Sequence, residues 1–128
     1  QNALLLKQKM IASQGMLISS PEYNGSISPL LKNVIDWVSR PVKDEPPLIA
    51  FKGKWISLLA ASPGGLGGLR GLVHLRQILG NIGCIVLPTQ FALPQAMSAF
   101  DEKGQLLEAS HLSQLEAVLK ELQQFCRA

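Results

Sequence analysis

Two segments of this 128-residue chain hold residue types that can meet a flat ligand. The first, Ser20-Pro21-Glu22-Tyr23-Asn24-Gly25-Ser26, joins an aromatic face at Tyr23 to the Asn24 amide, which donates and accepts, and to backbone amides near a helix start. Such groups suit recognition of a heteroaromatic ring. The same Pro, Asn and Gly equally suit a plain turn with Tyr23 packed on a neighbour. The second segment, Ser62-Pro63-Gly64-Gly65-Leu66-Gly67-Gly68, has enough glycine for a ligand or another backbone to approach closely. It is not a dinucleotide fingerprint, because Arg70 stands where the third glycine of a GxGxxG begun at Gly65 belongs. It is not a Walker loop, because no Gly-Lys-Ser/Thr follows. Taken alone, a structural turn is the simpler reading of this cluster.

The elements that must position these loops follow from apolar patterning. Ala3, Leu4, Leu6, Met10 and Ile11 among Lys and Gln predict the last turns of an amphipathic helix over residues 1–13. Met16-Leu17-Ile18 predicts a brief buried strand that runs out into the first loop. Ser28 is expected to cap a helix that has Pro29 in its first turn and a wide apolar face through Leu30, Leu31, Val34, Ile35, Trp37 and Val38, stopped by Arg40-Pro41. Residues 41–54, mixed Pro and charge, read as a surface crossover. A buried strand over residues 55–61, the glycine loop and a helix over residues 69–81 come next. A third strand over residues 84–88, a loop over 89–95, a turn at 100–104 and an amphipathic helix from about Ser110 to Phe125 complete the pattern. Strands alternating with helices imply parallel pairing through right-handed crossovers, with helices on both faces of the sheet. In such a sheet both loops lie beyond the carboxyl ends of strands, where ligands bind.

Composition narrows the class. A hydrophobic content of 47% over this length suits one core, so residues 1–128 are read as a single α/β domain. The apolar runs are far shorter than the roughly 20 residues a membrane helix needs, and the start is not a signal peptide. Neither a membrane nor nucleic acid is expected as partner, because the net charge of +3 is scattered without a basic run or interleaved aromatics. Cys84 and Cys126 show no paired spacing and read as reduced thiols of a cytoplasmic protein. No metal-ligand cluster and no Ser-His-Asp spacing is visible.

Ser20-Pro-Glu-Tyr-Asn-Gly-Ser26 followed by a helix reading Leu31-Lys-Asn-Val-Ile-Asp-Trp-Val-Ser39 resembles the most recognisable motif of NADPH-dependent FMN reductases, a family that includes azo-dye, quinone and chromate reductases. Ser62-Pro-Gly-Gly and His74-Leu-Arg-Gln-Ile-Leu79 resemble it too, at matching places in the strand order, while the likeness fades after about Pro94. The resemblance implies a flavodoxin-like three-layer sandwich with a parallel sheet. It implies FMN and NADPH as cofactors, a small-molecule electron acceptor, and a homodimer or homotetramer to which the helix from Ser28 to Ser39 contributes. Pro21, Glu22, Tyr23, Asn24 and Gly25 would line the isoalloxazine, Asn24 near its pyrimidine side, and Ser62, Gly64 and Gly65 would approach its other side. The flavin carries the hydride in this family, so no catalytic residue is named.

The sequence departs from the family at its start. The expected Gly-Ser-x-Arg-x-x-Ser loop, which binds the FMN phosphate at a helix N-terminus, matches no residue here. The chain is therefore expected to lack the first βαβ portion, and to associate through the sheet edge so exposed or to depend on a complementary piece. The alternatives to a reductase are a flavodoxin-like electron-carrier module, against which the positive charge argues, and an inactive fragment unable to hold FMN. Arg70, His74 and Arg76 are read as an ordinary helix face in preference to a phosphate site. Trp37 and Trp55 are expected in the core or at a subunit interface, Glu22 to be structural or solvent-facing, and His111 at the start of the last helix.

Overall fold

A computed structural model describes residues 2–126 of the chain, so the expected helical position of Gln1 lies outside the described residues. In chain order, α1 (Asn2–Ala12) leads to β1 (Gly15–Ser19), a hairpin of β2 (Glu22–Tyr23) and β3 (Ser26–Ile27), and α2 (Pro29–Val38). Next come β4 (Trp55–Ala61), α3 (Leu69–Asn81), β5 (Ile85–Leu93), a 3-10 turn at Ala96–Ser98 and α4 (Ala109–Cys126). The three longer strands form a parallel sheet in the order β1-β4-β5. Gly15 pairs with Trp55 and Ser19 with Leu59; on the other side Trp55 pairs with Ile85 and Ala61 with Leu93.

Helices cover both faces, as the alternating pattern requires. Ile56, Leu58 and Ala60 of β4 point into a core with Ile35 and Val38 of α2 and Leu72, Leu75 and Leu79 of α3. Leu59 points the other way, toward Phe91, Leu93 and Val118 of α4's side. Each fully buried Leu or Ile contributes about 1.5–3 kcal/mol, so the short β4 anchors the fold. α2 begins as its sequence predicts: the Ser28 hydroxyl accepts the Leu31 amide at 3.1 Å with Pro29 at the first position. Among the described residues no helix is long and apolar enough to cross a membrane.

Four features differ from the sequence reading. In α1 the leucines Leu4, Leu5 and Leu6 face outward while Lys7 is only 4% exposed. Its ammonium donates to the Arg40 carbonyl at 2.6 Å and pairs with Glu45, and its stem covers apolar surface. The crossover is not confined to the surface, since Ala50 and Phe51 insert into the core. The segment over residues 20–26 is not a loop throughout but a hairpin: Asn24 and Gly25, both at positive φ (51° and 81°), form the two-residue turn that Asn-Gly favours. The third strand runs through Pro88 to Leu93. Ile56 pairs with Val86 but Leu58 with Gln90, so Pro88 sits in a bulge on an edge strand, where its missing N–H costs no ladder bond. Arg76 braces the bulge by donating to the Val86 carbonyl at 3.2 Å and the Gln90 side chain at 2.8 Å, and Glu121 accepts the Thr89 amide at 3.2 Å.

Lys54 ties the layers together at the other end, donating to the Ile11 carbonyl at 2.7 Å and to the Ser13 carbonyl, so that a cation closes the C-terminus of α1. Beside it Trp55 stacks on Phe125 at 4.5 Å. Gly15 is wedged beneath: a Cβ there would lie 2.7 Å from both Cys126 Sγ and the Trp55 carbonyl oxygen. Gly15→Ala is expected to destabilise by about 1–3 kcal/mol. Gly80→Ala, in α3 with nothing within 4 Å of the new Cβ, is expected to stabilise by about 0.5 kcal/mol. Urea unfolding of the two variants checks this, and equal midpoints would refute the packing described for Gly15.

Candidate functional site

The carboxyl ends of the three parallel strands deliver three loops to one edge of the molecule. Backbone bonds seat each one. The Ser20 amide donates to the Leu59 carbonyl at 2.9 Å, and the Ser62 amide to the Leu93 carbonyl at 3.1 Å. The loop after β5 returns to the glycine loop: Gln95 donates to the Gly64 carbonyl at 3.2 Å and Ala96 to the Ser62 carbonyl at 3.0 Å. Gln95 is held at φ 49°, a left-handed conformation uncommon for a residue with a side chain.

The glycines of the second loop fall into two pairs. Gly67 and Gly68 have positive φ, and a Cβ would lie 2.7 Å from Ala92 backbone atoms at Gly67 and 2.8 Å from the Ala60 side chain at Gly68. The fold itself demands both. Gly64 and Gly65 are exposed and lack positive φ; a Cβ at Gly64 would meet only the Ser62 hydroxyl, at 3.8 Å, and one at Gly65 would meet nothing. Neither protein packing nor backbone conformation explains glycine at those two positions.

The base of the hairpin meets the end of this loop, where a Cβ at Gly68 would lie 3.7 Å from the Glu22 Cβ. Tyr23 is 57% exposed, and with Ser19, Pro21, Ser28, Pro29 and Leu30 it lines a mostly apolar cleft of about 390 Å³. Asn24 is exposed at the turn, next to Gly25. Ser62, Gly64 and Gly65 do not line that cleft; at the hairpin's base Glu22 bridges to α3. The Glu22 carboxylate is 8% exposed, accepts from Arg70 Nε at 2.9 Å and from the Gly71 amide at 3.2 Å, and lies 2.7 Å from an Arg70 terminal nitrogen. Partial burial favours its neutral form, but the Gly71 amide and the Arg70 guanidinium outweigh burial and hold the carboxyl below the ordinary carboxylate range.

The helix-face reading of Arg70, His74 and Arg76 acquires specific partners: Arg70 takes Glu22, Arg76 takes the β5 bulge, and His74 Nδ1 lies 3.0 Å from the Ser26 hydroxyl. Trp37, 66% exposed, is not a core residue, because α2 turns Leu31, Val34, Ile35 and Val38 toward the core and Trp37 away from it. His111 stands in the first turn of α4, beside Phe91. Both cysteines are free thiols, and burial pushes that of Cys84 up to about 11. The sequence reading missed the loop after β5 as a wall of this edge, since nothing in Pro94-Gln95-Ala96 marks a left-handed residue.

A parallel sheet covered on both faces, with loops gathered at the strands' carboxyl ends, defines an α/β protein of the flavodoxin-like class. The chain belongs to the NADPH-dependent FMN reductase family, whose sequence profile matches residues 1–98. It is 35% identical over 122 residues to an NAD(P)H-dependent FMN reductase of Pseudomonas aeruginosa, covering 94% of this chain and 63% of that protein. To an NADPH:quinone oxidoreductase of Arabidopsis thaliana it is 37% identical over 126 residues, covering 93% and 59%. The solved structure of a flavoenzyme NAD(P)H:(acceptor) oxidoreductase from Paracoccus denitrificans superposes with a TM-score of 0.75 at 25% identity, covering 98% of this chain and 65% of that one. The chain thus spans less than two thirds of the length of these relatives.

The Glu22 bridge makes stability depend on pH in one direction. A carboxyl whose folded pKa lies below its unfolded value contributes fully above the unfolded value and loses that contribution as pH falls through the folded value. Melting temperatures of the wild type and Glu22→Gln are therefore expected to differ most at neutral pH and to converge below the ordinary carboxylate range. A constant difference down to pH 3 would show that the carboxylate is not charged in the fold.

Proposed function

We propose that this chain binds the isoalloxazine of FMN at the edge formed by the hairpin and the glycine loop, and that it supports hydride transfer from NAD(P)H to a flavin, quinone or similar small acceptor. The observation that carries this reading is the open glycine pair, Gly64 and Gly65: glycine there leaves room that nothing in the protein fills, as a planar ring in close approach requires. The names of the relatives agree with it, and the family's profile spans both the hairpin and the glycine loop.

In this reading Pro21, Tyr23, Asn24 and Gly25 line one side of the ring, Glu22 contributes through its backbone, and Ser62, Gly64 and Gly65 approach the other side. Bound FMN would supply the hydride-carrying chemistry. The protein's share is to hold donors and acceptors in place: the Asn24 side chain offers both, on a backbone held in the left-handed conformation of the turn. No protein acid or base is required for that role. The chain acts as a single flavodoxin-like domain over residues 1–128, in the cytoplasm, where Cys84 and Cys126 stay reduced. It forms a homodimer or homotetramer, with Leu30 (74% exposed) and Trp37 on α2 as the apolar contribution to the interface. Light scattering checks the assembly: a monomer at high concentration rejects it, and Trp37→Glu is expected to dissociate it.

Absorbance near 450 nm during FMN addition, followed by NADPH, tests the activity. Binding and bleaching support the reductase; binding without bleaching indicates an electron carrier, and no binding a chain that does not hold FMN by itself. Gly65→Val is expected to weaken FMN binding about tenfold or more while melting as the wild type does. Gly67→Ala is expected to cost about 2–4 kcal/mol of stability. Unchanged FMN affinity in Gly65→Val would remove the glycine pair from the site.

A further inference from the structure

α3 starts without a cap of its own. Its N-cap residue is Gly68, which has no side chain to accept the exposed amides of the first turn. The missing acceptor comes from 49 residues earlier in sequence: the Glu22 carboxylate takes the Gly71 amide with one oxygen and Arg70 Nε with the other. A carboxylate at this end also meets the positive end of the helix dipole. A second contact lies one turn on, where His74 Nδ1 stands 3.0 Å from the Ser26 hydroxyl. Gly71 lets the two elements lie this close, since a Cβ there would come within 3.2 Å of the Ser26 carbonyl oxygen and 3.4 Å of the Glu22 side chain. The hairpin itself has only two residues per strand and a single turn, too little to hold a fixed position unaided.

We propose that Glu22 and Arg70 are positioning residues: their clamp on the first turn of α3 fixes the hairpin, and with it the amides at Tyr23, Asn24 and Gly25, at the spacing from the glycine loop that the isoalloxazine needs. The inference rests on the flavin reading above and assigns to Glu22, by its geometry, a role through α3. It also accounts for Arg70, whose guanidinium pairs with the Glu22 carboxylate at 2.7 Å.

The test uses the full chain as wild type, Arg70→Met, Arg70→Lys and Glu22→Gln. Amide exchange by NMR without flavin reads the clamp, and quenching of FMN fluorescence reads the site. Arg70→Met is expected to speed exchange at Gly71 and Ser26 about tenfold with β4 amides unchanged, and to weaken FMN binding by a similar factor. Arg70→Lys is expected to recover part of both effects, which a general loss of fold would not allow. Glu22→Gln, which keeps an acceptor for Gly71 but loses the charge, is expected to fall between Arg70→Met and wild type. FMN bound equally by wild type and Arg70→Met overturns the positioning role and leaves the flavin reading standing. FMN bound by no form overturns both, and clamp-dependent exchange in that case identifies the bridge as a contact for folding alone.

Discussion

The structure depends on β4 being the middle strand of a parallel sheet. A parallel strand between two others has no solvent-facing side, so its residues must be apolar both ways and both faces must be covered. Ile56, Leu58 and Ala60 satisfy one face against α2 and α3, and Leu59 the other against the Phe91 and Val118 cluster. The same constraint gathers the loops at one edge. All three strands point their carboxyl ends one way, and the chain can leave β4 only through the glycine loop. β1 is the opposite case. Its outer edge meets no strand among the described residues, and Leu17 at its centre is 41% exposed, whereas Ser57, its partner in β4, is fully buried.

One residue type serves two opposite purposes in the glycine loop. At Gly67 and Gly68 the absence of a side chain lets α3 begin against the ends of β4 and β5, and protein atoms occupy the space a Cβ would take. At Gly64 and Gly65 the absence of a side chain leaves solvent. The sequence Gly-Gly-Leu-Gly-Gly looks symmetrical, and only the backbone angles and neighbours separate a packing demand from an opening.

What was legible in the sequence follows from how local each signal is. β4 and α3 were readable to the residue because a continuous apolar run and a 3.6-residue period need no knowledge of partners. Ser28 as cap and Pro29 at the helix start were readable for the same reason. Lys7 was not, because a buried lysine is decided by Glu45 and the Arg40 carbonyl far along the chain. Pro88 marked a strand end by its own chemistry, yet the strand continues because Arg76 and Glu121 brace a bulge around it. The Asn24-Gly25 turn carried the local hairpin signal, but two-residue strands offer no alternation to support it. That the hairpin and the glycine loop share one edge was legible from the strand order; that Glu22 ties the hairpin to α3 was not, since its partners Arg70 and Gly71 lie in another element.

Those partnerships bear on how this edge attracts a ligand. Arg70 is paired with Glu22, and Arg76 is turned into the β5 bulge, so both guanidiniums of α3 have partners within the protein. The helix end that commonly binds phosphate is already met by the Glu22 carboxylate. Beside that ion pair this edge offers neutral groups: the Tyr23 ring, the Asn24 amide, the turn amides and two open glycines. Such a surface selects by shape and hydrogen-bond pattern, with little dependence on salt, because screening acts on charges and hardly on fixed dipoles at contact. A flat, polar heteroaromatic ring is the kind of group that such a surface reads, and charge belonging to the same ligand must find its counterpart elsewhere.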